Sequence, residues 1–339
     1  MKAIQIFNYS SDLQLEYVDI PKPTVQDDQV LIQGKFAGVD PHLILAMTGK
    51  AKLFDHYDFP LTLGNEVSGI VVAVGKKVIN FKVGDSVYSM PPLDTMGAFA
   101  EYVAVQEQYV AMLPNNMSFQ AGAAIPLSWL TIKQTFNILK PKQGEKIFIA
   151  GGTGGFGQIA VPYAKRIGLH VTVSGAKNDA NLANELGADA FVNYEDSNDQ
   201  NNYVDYFDYV IDTRGASEFN KQLKMLRKRG HLLSLNAGPN GRFSKRQIQS
   251  YSMRQKIIFR LIGLMFDVTA AMQKKQYDFL YVESDGSQLS EYADYFDENA
   301  VQPVIDTIYD FNQVDLAIDR MKLGNNQGKI LLNLESRGE

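Results

Sequence analysis

The chain has 339 residues, enough for two domains rather than one core. With 45% hydrophobic and 21% charged residues it reads as globular, and its net charge of -5 weighs against nucleic acid or an anionic membrane as main partner. It has no cysteine, which excludes disulfides, thiolate nucleophiles, iron–sulfur clusters and cysteine-ligated zinc.

The opening MKAIQIFNYS lacks the basic flank and long apolar core of a signal peptide, and a cytoplasmic protein is expected. The first ~120 residues read as β-rich. Runs at 28–40, 66–75, 83–90 and 97–113 alternate or are β-branched, and glycine or proline bounds them. Short strands at this spacing predict a partly closed barrel or a sandwich. The rhythm turns helical near Ser118, a candidate N-cap, and Pro126 divides two helices. Strands are then expected at 146–150, 170–174, 190–194, 207–212 and 230–236, with helices at 156–167, 178–186 and 218–229 between them. This alternation predicts βαβ units and a parallel sheet covered on both faces. Residues 251–276 read as one or two basic, amphipathic surface helices, or as a lid over a substrate cleft or a dimer contact, and 277–284 as a sixth strand. The tail reads as strand, helix (312–323) and strand (328–334).

Between the strand EKIFIA and the helix FGQIAVPYAKRIG lies GGTGGFG. Gly152, Gly154 and Gly157 form G-x-G-x-x-G, with Thr153, Gly155 and Phe156 between them. In a strand–turn–helix context this spacing predicts a dinucleotide site. Gly152 permits the turn, Gly154 admits a diphosphate, and Gly157 lets the helix pack on the strand. Free amides and the helix dipole then meet the phosphates. Pro162 falls inside this helix, beyond the turn that meets the phosphate. An NAD site places an acid at the end of the second strand. Here that strand ends in Ser174, Gly175, Ala176 and Lys177, with no acid before Asp179. A hydroxyl, a glycine and an ammonium suit a 2′-phosphate, so NADPH is expected over NADH.

The ordered set AGVDPHL, PLTLGNEVSGIVVAVG, VGDSVY, GAFAEYVAV, AAIPLSWLTIKQTF, ELGADAFVNY and GKILLNL resembles the medium-chain dehydrogenase/reductase superfamily, in its zinc-independent quinone oxidoreductase branch. The resemblance implies an α/β protein with a GroES-like domain (1–123 and 299–339) and a doubly wound Rossmann domain (124–298), the tail returning to the first. It implies that Thr131, Asn236 and Ala237 also line the cofactor site, that Lys177 and Tyr194 sit at the adenosine 2′-phosphate, and that Gly328 and Lys329 close the cleft. Where zinc-dependent relatives have metal ligands, this sequence has Asp40, Asn65 and a non-cysteine near Ser128, so no metal is expected. Asp40 replaces the branch's usual Asn, and Trp129 stands where glycine is common. A homodimer through Rossmann edge strands is implied, with 277–284 as the edge.

Without metal or thiolate, activation of an alcohol is unfavoured. The expected reaction passes hydride from NADPH to a quinone or to the β-carbon of an α,β-unsaturated carbonyl, where conjugation carries charge to oxygen. Asp40, His42 and Tyr57 are the candidate catalytic residues. Alternatives are a metal-independent alcohol or aldehyde oxidoreductase, or a cofactor-binding regulatory protein.

Overall fold

The computed structural model describes residues 1–196, 199, 201–246, 251–299, 302–324 and 326–335. The first strands are β1 (Lys2–Ile6), β2 (Glu16–Asp19), β3 (Gln29–Val39), β4 (Leu61–Thr62), β5 (Val67–Val74), β6 (Ser86–Ser89), β7 (Tyr102–Gln106) and β8 (Val110–Met112), with α1 (His42–Met47) after β3. Helices α2 (Phe119–Ala124) and α3 (Pro126–Leu139) follow. Next come β9 (Lys146–Ile149), α4 (Gly157–Arg166), β10 (His170–Gly175), α5 (Ala180–Glu185), β11 (Ala190–Asn193), β12 (Phe207–Asp212), α6 (Phe219–Met225), β13 (Leu226–Ser234), α7 (Met253–Met272) and β14 (Gln276–Phe279). The chain closes through α8 (Gly286–Asn299), β15 (Ile305–Asp310), α9 (Val314–Lys322) and β16 (Lys329–Asn333). Two compact units result: Met1–Leu130 with Glu283–Glu339, and Thr131–Val282.

In the first unit a sheet ordered β15-β16-β3-β5-β6-β8, with β7 also on β3, wraps a core that includes Ile32, Val67, Val71 and Leu332. Alternate residues of each strand face that core. Strand β16 pairs antiparallel with β3, Ile330 opposite Val39, so the tail folds back onto the first unit. Helix α8 also belongs here, although 124–298 was expected in the other domain. Tyr88 donates to the Leu289 carbonyl at 2.6 Å, and the Trp129 indole donates to the Gln288 carbonyl at 2.7 Å while stacking on Tyr295. Trp129 is packing within this unit.

The second unit holds a parallel sheet ordered β11-β10-β9-β12-β13-β14. Its strands are continuous apolar runs, such as Ile147 to Ile149 and Val210 to Ile211, because both faces are covered. Strand β9 lies between β10 and β12, so the connections diverge at its C-terminal end, the position where doubly wound sheets bind ligands. The helix expected at 218–229 stops at Met225, and β13 begins at Leu226. Arg227 reaches Asp208 on the neighbouring β12, so tertiary pairing places a basic stretch in a strand. The strand expected at 277–284 is the shorter β14.

Strand β14 ends the sheet, yet its carbonyls are occupied. Asn240 Nδ2 donates to Tyr277 O at 2.9 Å, and Arg246 Nη2 donates to Phe279 O. Between them the buried Asp278 accepts from His231 Nε2 at 2.7 Å and pairs with Arg246. Burial alone would raise this carboxyl, but the His231 hydrogen bond and the Arg246 charge outweigh it and hold it below its ordinary value. A depressed folded pKa gives stability that is present above the unfolded value and lost as pH falls through the folded one. The stability gap between wild type and Asp278→Asn, read from urea midpoints, should therefore be wide at neutral pH and close in acid.

Candidate functional site

The glycine turn joins β9 to α4. Gly151 carries the left-handed backbone, with φ of 66°, so it makes the tight bend expected of Gly152. A Cβ on Gly152 would strike Val173 at 2.6 Å, and one on Gly157 would lie 2.2 Å from the Gly152 carbonyl oxygen. Both glycines serve close packing. A Cβ on Gly154 would meet only the Gly151 oxygen, at 3.4 Å, so the open side of the turn is at Gly154. This cradle fits the diphosphate of a dinucleotide, with the amides that begin α4 as donors. The helix runs through Pro162 to Arg166. Ser174, expected at a 2′-phosphate, supports the turn: its hydroxyl oxygen accepts from the Gly151 N–H at 3.1 Å.

The loop after β10 is latched to the turn. Asp179 Oδ2 accepts from the Thr153 hydroxyl at 2.9 Å and from the Ala176 N–H at 3.0 Å. The first acid after the glycines is thus engaged within the protein. Gly175 makes room for the latch, since a Cβ there would sit 2.7 Å from Thr153 Oγ1 and 3.0 Å from Asp179 Oδ2. Lys177 is exposed and makes no ion pair among the described residues. Tyr194 follows β11, bonds its N–H to the Gly175 carbonyl, and carries the Arg214 guanidinium 4.9 Å above its ring. Arg214 is a second cation at this end of the site; the sequence placed it in an unremarkable loop.

A buried carboxylate organises the next two loops. Asp212, at the end of β12, accepts from Arg214 N–H (2.8 Å), Gly215 N–H (3.1 Å), Gln222 Nε2 (2.9 Å) and the Ser234 hydroxyl (2.6 Å). Ser234 Oγ in turn accepts from the Asn236 and Ala237 amides. Asn236 also donates to the Thr213 carbonyl at 2.7 Å. The two loop residues expected at the cofactor are therefore held by an acid that sequence reading passed over. Thr131 lies buried within α3.

In the first unit two of the three candidate catalytic residues, His42 and Tyr57, are joined by Asp55, and the third, Asp40, is tied to the His42 backbone. His42 Nε2 lies 3.2 Å from Asp55 Oδ2, and the Tyr57 hydroxyl donates to the same oxygen at 3.0 Å. The His42 N–H donates to Asp40 Oδ1 at 2.8 Å. All four side chains are buried, His42 least so at 8% exposure. Burial pushes the Tyr57 phenol far up, and the Asp55 charge adds to the shift, so Tyr57 stays a proton donor at any working pH. Asp40 Oδ2 and both ends of the Asn65 amide are buried with no hydrogen-bond partner among the described residues. Such orphans are rare in an interior, and they mark a polar spot with unused capacity.

Lys329 does not stand free. Its ammonium pairs with Glu66, which is wholly buried and also accepts from the Leu127 N–H at 2.9 Å. Burial drives the Glu66 carboxyl up, Lys329 opposes this, and Asp40 reinforces it. Gly328, with φ of 129°, turns the chain where a Cβ would meet the Val304 oxygen at 2.4 Å. No group of three or more His, Asp or Glu side chains suited to a metal exists among the described residues, so the donor set does not fit a zinc centre.

Two domain families match the chain: the alcohol dehydrogenase GroES-like domain at residues 26–115 and the zinc-binding dehydrogenase family at 186–332. The chain is similar to a 2-methylene-furan-3-one reductase of Solanum lycopersicum, 29% identical over 98% of this chain and 79% of that protein. It is similar to the NAD(P)H oxidoreductase RTN4IP1, mitochondrial, of Dictyostelium discoideum, 28% identical over 98% of this chain and 99% of that protein. The quinone oxidoreductase structure from Coxiella burnetii shares the fold, with a TM-score of 0.82 at 24% identity and 99% coverage of both chains. With a β-rich unit, a parallel-sheet unit that carries an open glycine turn, and these relatives, the chain is a nicotinamide-dependent oxidoreductase. The chain belongs to the medium-chain dehydrogenase/reductase superfamily, in line with its zinc-independent quinone oxidoreductase branch.

Proposed function

We propose that this protein is an NADPH-dependent reductase that passes hydride to a quinone or to the β-carbon of an α,β-unsaturated carbonyl. The observation that carries the reading is the turn open at Gly154, with Lys177 and Arg214 as cations beyond it and the nearby acid Asp179 engaged in the latch. When bound, the cofactor supplies hydride from its nicotinamide. The turn amides hold the diphosphate, and Gly175, Lys177 and Tyr194 with Arg214 receive the 2′-phosphate end. The names of the relatives, a furanone reductase and an NAD(P)H oxidoreductase, support an electron-poor acceptor.

On the acceptor side, His42, Asp55 and Tyr57 form one hydrogen-bonded group, with Tyr57 as a donor to Asp55 and His42 the least buried of the three. A cytoplasmic location belongs to the same proposal, though one relative is named mitochondrial. A homodimer built by adding strands at β14 would have to displace Asn240 and Arg246. Sedimentation velocity tests it.

The function is tested by NADPH oxidation against quinones, enones and simple aldehydes, with NADH in parallel. Turnover of quinones or enones with NADPH is the expected result; turnover of simple aldehydes alone overturns it. Lys177→Glu and Arg214→Gln should each weaken NADPH binding on the order of tenfold, since one charge-assisted contact is worth about 1.5 kcal/mol or more. NADH binding, read by the same fluorescence titration, should hardly change. Equal losses for both cofactors would remove the 2′-phosphate assignment.

A further inference from the structure

Helix α7 is apolar on two opposite sides. Inward, Phe259 packs on Phe243 at 5.3 Å, and Phe266 packs on Phe219 at 4.8 Å and Tyr277 at 5.1 Å. Outward, Ile257, Leu261, Leu264, Met265, Val268 and Met272 are exposed, Leu261 at 68% and Met272 at 81%. At 3.6 residues per turn these six fall within about 100° of arc, opposite the buried stripe. Arg254 is the single charged residue of α7 on that arc. A surface helix normally turns its charges outward, and an exposed apolar patch of this kind marks an interaction site.

The charge around α7 is opposite in sign to that of the whole chain. Residues 242–275 contain eight Lys or Arg and one acid, Asp267, within a chain of net charge -5; Arg242 and Arg246 pair with Asp278 and Lys275 with Asp205, while Lys245, Arg254, Lys256, Arg260 and Lys274 make no ion pair among the described residues. Asp267 is taken up by Asn240 Nδ2 at 2.7 Å. Lys256 and Arg260 flank the apolar arc, and Arg242, Lys245 and Arg260 line a cavity of about 440 Å³ beside the helix. We propose that α7 lies on an anionic lipid bilayer, its apolar arc among acyl chains and its cationic flank against headgroup phosphates. The overall acidity that weighs against such a surface is an average over the chain. Among the described residues no helix is long and apolar enough to cross a membrane, so α7 would rest in the interface.

A second copy of the chain fits this surface less well. Antiparallel pairing would set Arg254, Lys256 and Arg260 of one copy against the other's C-terminal half, where Asp267 is already engaged and Lys274 follows. Parallel pairing would set cations against cations.

The test is co-sedimentation of the full chain with phosphatidylcholine vesicles, with and without phosphatidylglycerol, at low and high salt. Binding to the phosphatidylglycerol vesicles is expected, weakened by salt. Leu261→Glu with Leu264→Glu, and separately Lys256→Glu with Arg260→Glu, should each cut it on the order of tenfold or more, with thermal unfolding unchanged. No binding beyond that to phosphatidylcholine alone overturns the proposal. So does a dimer, seen by sedimentation velocity without vesicles, that the Leu261/Leu264 variant dissociates.

Discussion

Gly154→Val should leave the protein folded and remove most of its NADPH binding, whereas Gly157→Ala should damage the fold itself. The contrast rests on what a new side chain meets. At Gly154 the nearest foreign atom lies at 3.4 Å and the backbone needs no left-handed angle, so the change is tolerated by the empty protein. The branched side chain then stands where the diphosphate must come to the amides. Overlap of this size costs about 1–3 kcal/mol, or roughly 5–150-fold in affinity. At Gly157 even one methyl would sit 2.2 Å from the Gly152 oxygen, between two backbone segments that cannot rotate away. A loss of about 3 kcal/mol is expected, which lowers the melting temperature by roughly 6–12 °C for a unit of this size. Fluorescence titration with NADPH and a thermal melt read the two effects. Wild-type affinity in Gly154→Val would sink the cofactor site.

Lys329→Met should be the most damaging of the side-chain truncations considered. It leaves Glu66 wholly buried without its counter-charge, and breaking a buried pair on one side costs about 3–5 kcal/mol. The loss depends on pH. Glu66 has a raised carboxyl pKa, so its protonated form fits the folded state better than the ionised one. Stability from such a group is present below the unfolded value and lost as pH rises through the folded one. Removing Lys329 raises that value further, so the variant should be clearly more stable at mildly acidic than at alkaline pH. Glu66→Gln added to it should recover most of the loss, because the amide keeps the bond from Leu127 and carries no charge. Urea midpoints across pH for the single and double variants check both statements. A flat pH profile for Lys329→Met would mean that solvent reaches Glu66.

Much of the architecture was legible because its signals are local. Buried parallel strands such as Ile147 to Ile149 are unbroken apolar runs, and Gly152, Gly154 and Gly157 announce the turn by spacing alone. The signals that misled depend on distant partners. Residues 226–229 read as the end of a helix until Arg227 is seen on Asp208. Gly151 and Gly152 are neighbours in a glycine-rich stretch, and only the backbone angle shows which one makes the bend. Asp55, Asp212 and Arg214 escaped notice because each matters through contacts that fold together separate elements, such as Asp212 with Ser234. Lys329 carried a family expectation at the cofactor cleft, and its pairing with the buried Glu66 had no signal in the sequence. The β14 edge likewise looked available until the side chains of Asn240 and Arg246 were placed on it.

Asp212 gathers amides and hydroxyls from the ends of two successive strands onto one pair of oxygens. A shift of either segment strains hydrogen bonds to the carboxylate that also anchors the other, so the two share one anchor. A ligand that quiets Arg214 would thereby stiffen Asn236 and Ala237 as well, and the entropic cost of ordering both would be met by a single binding event.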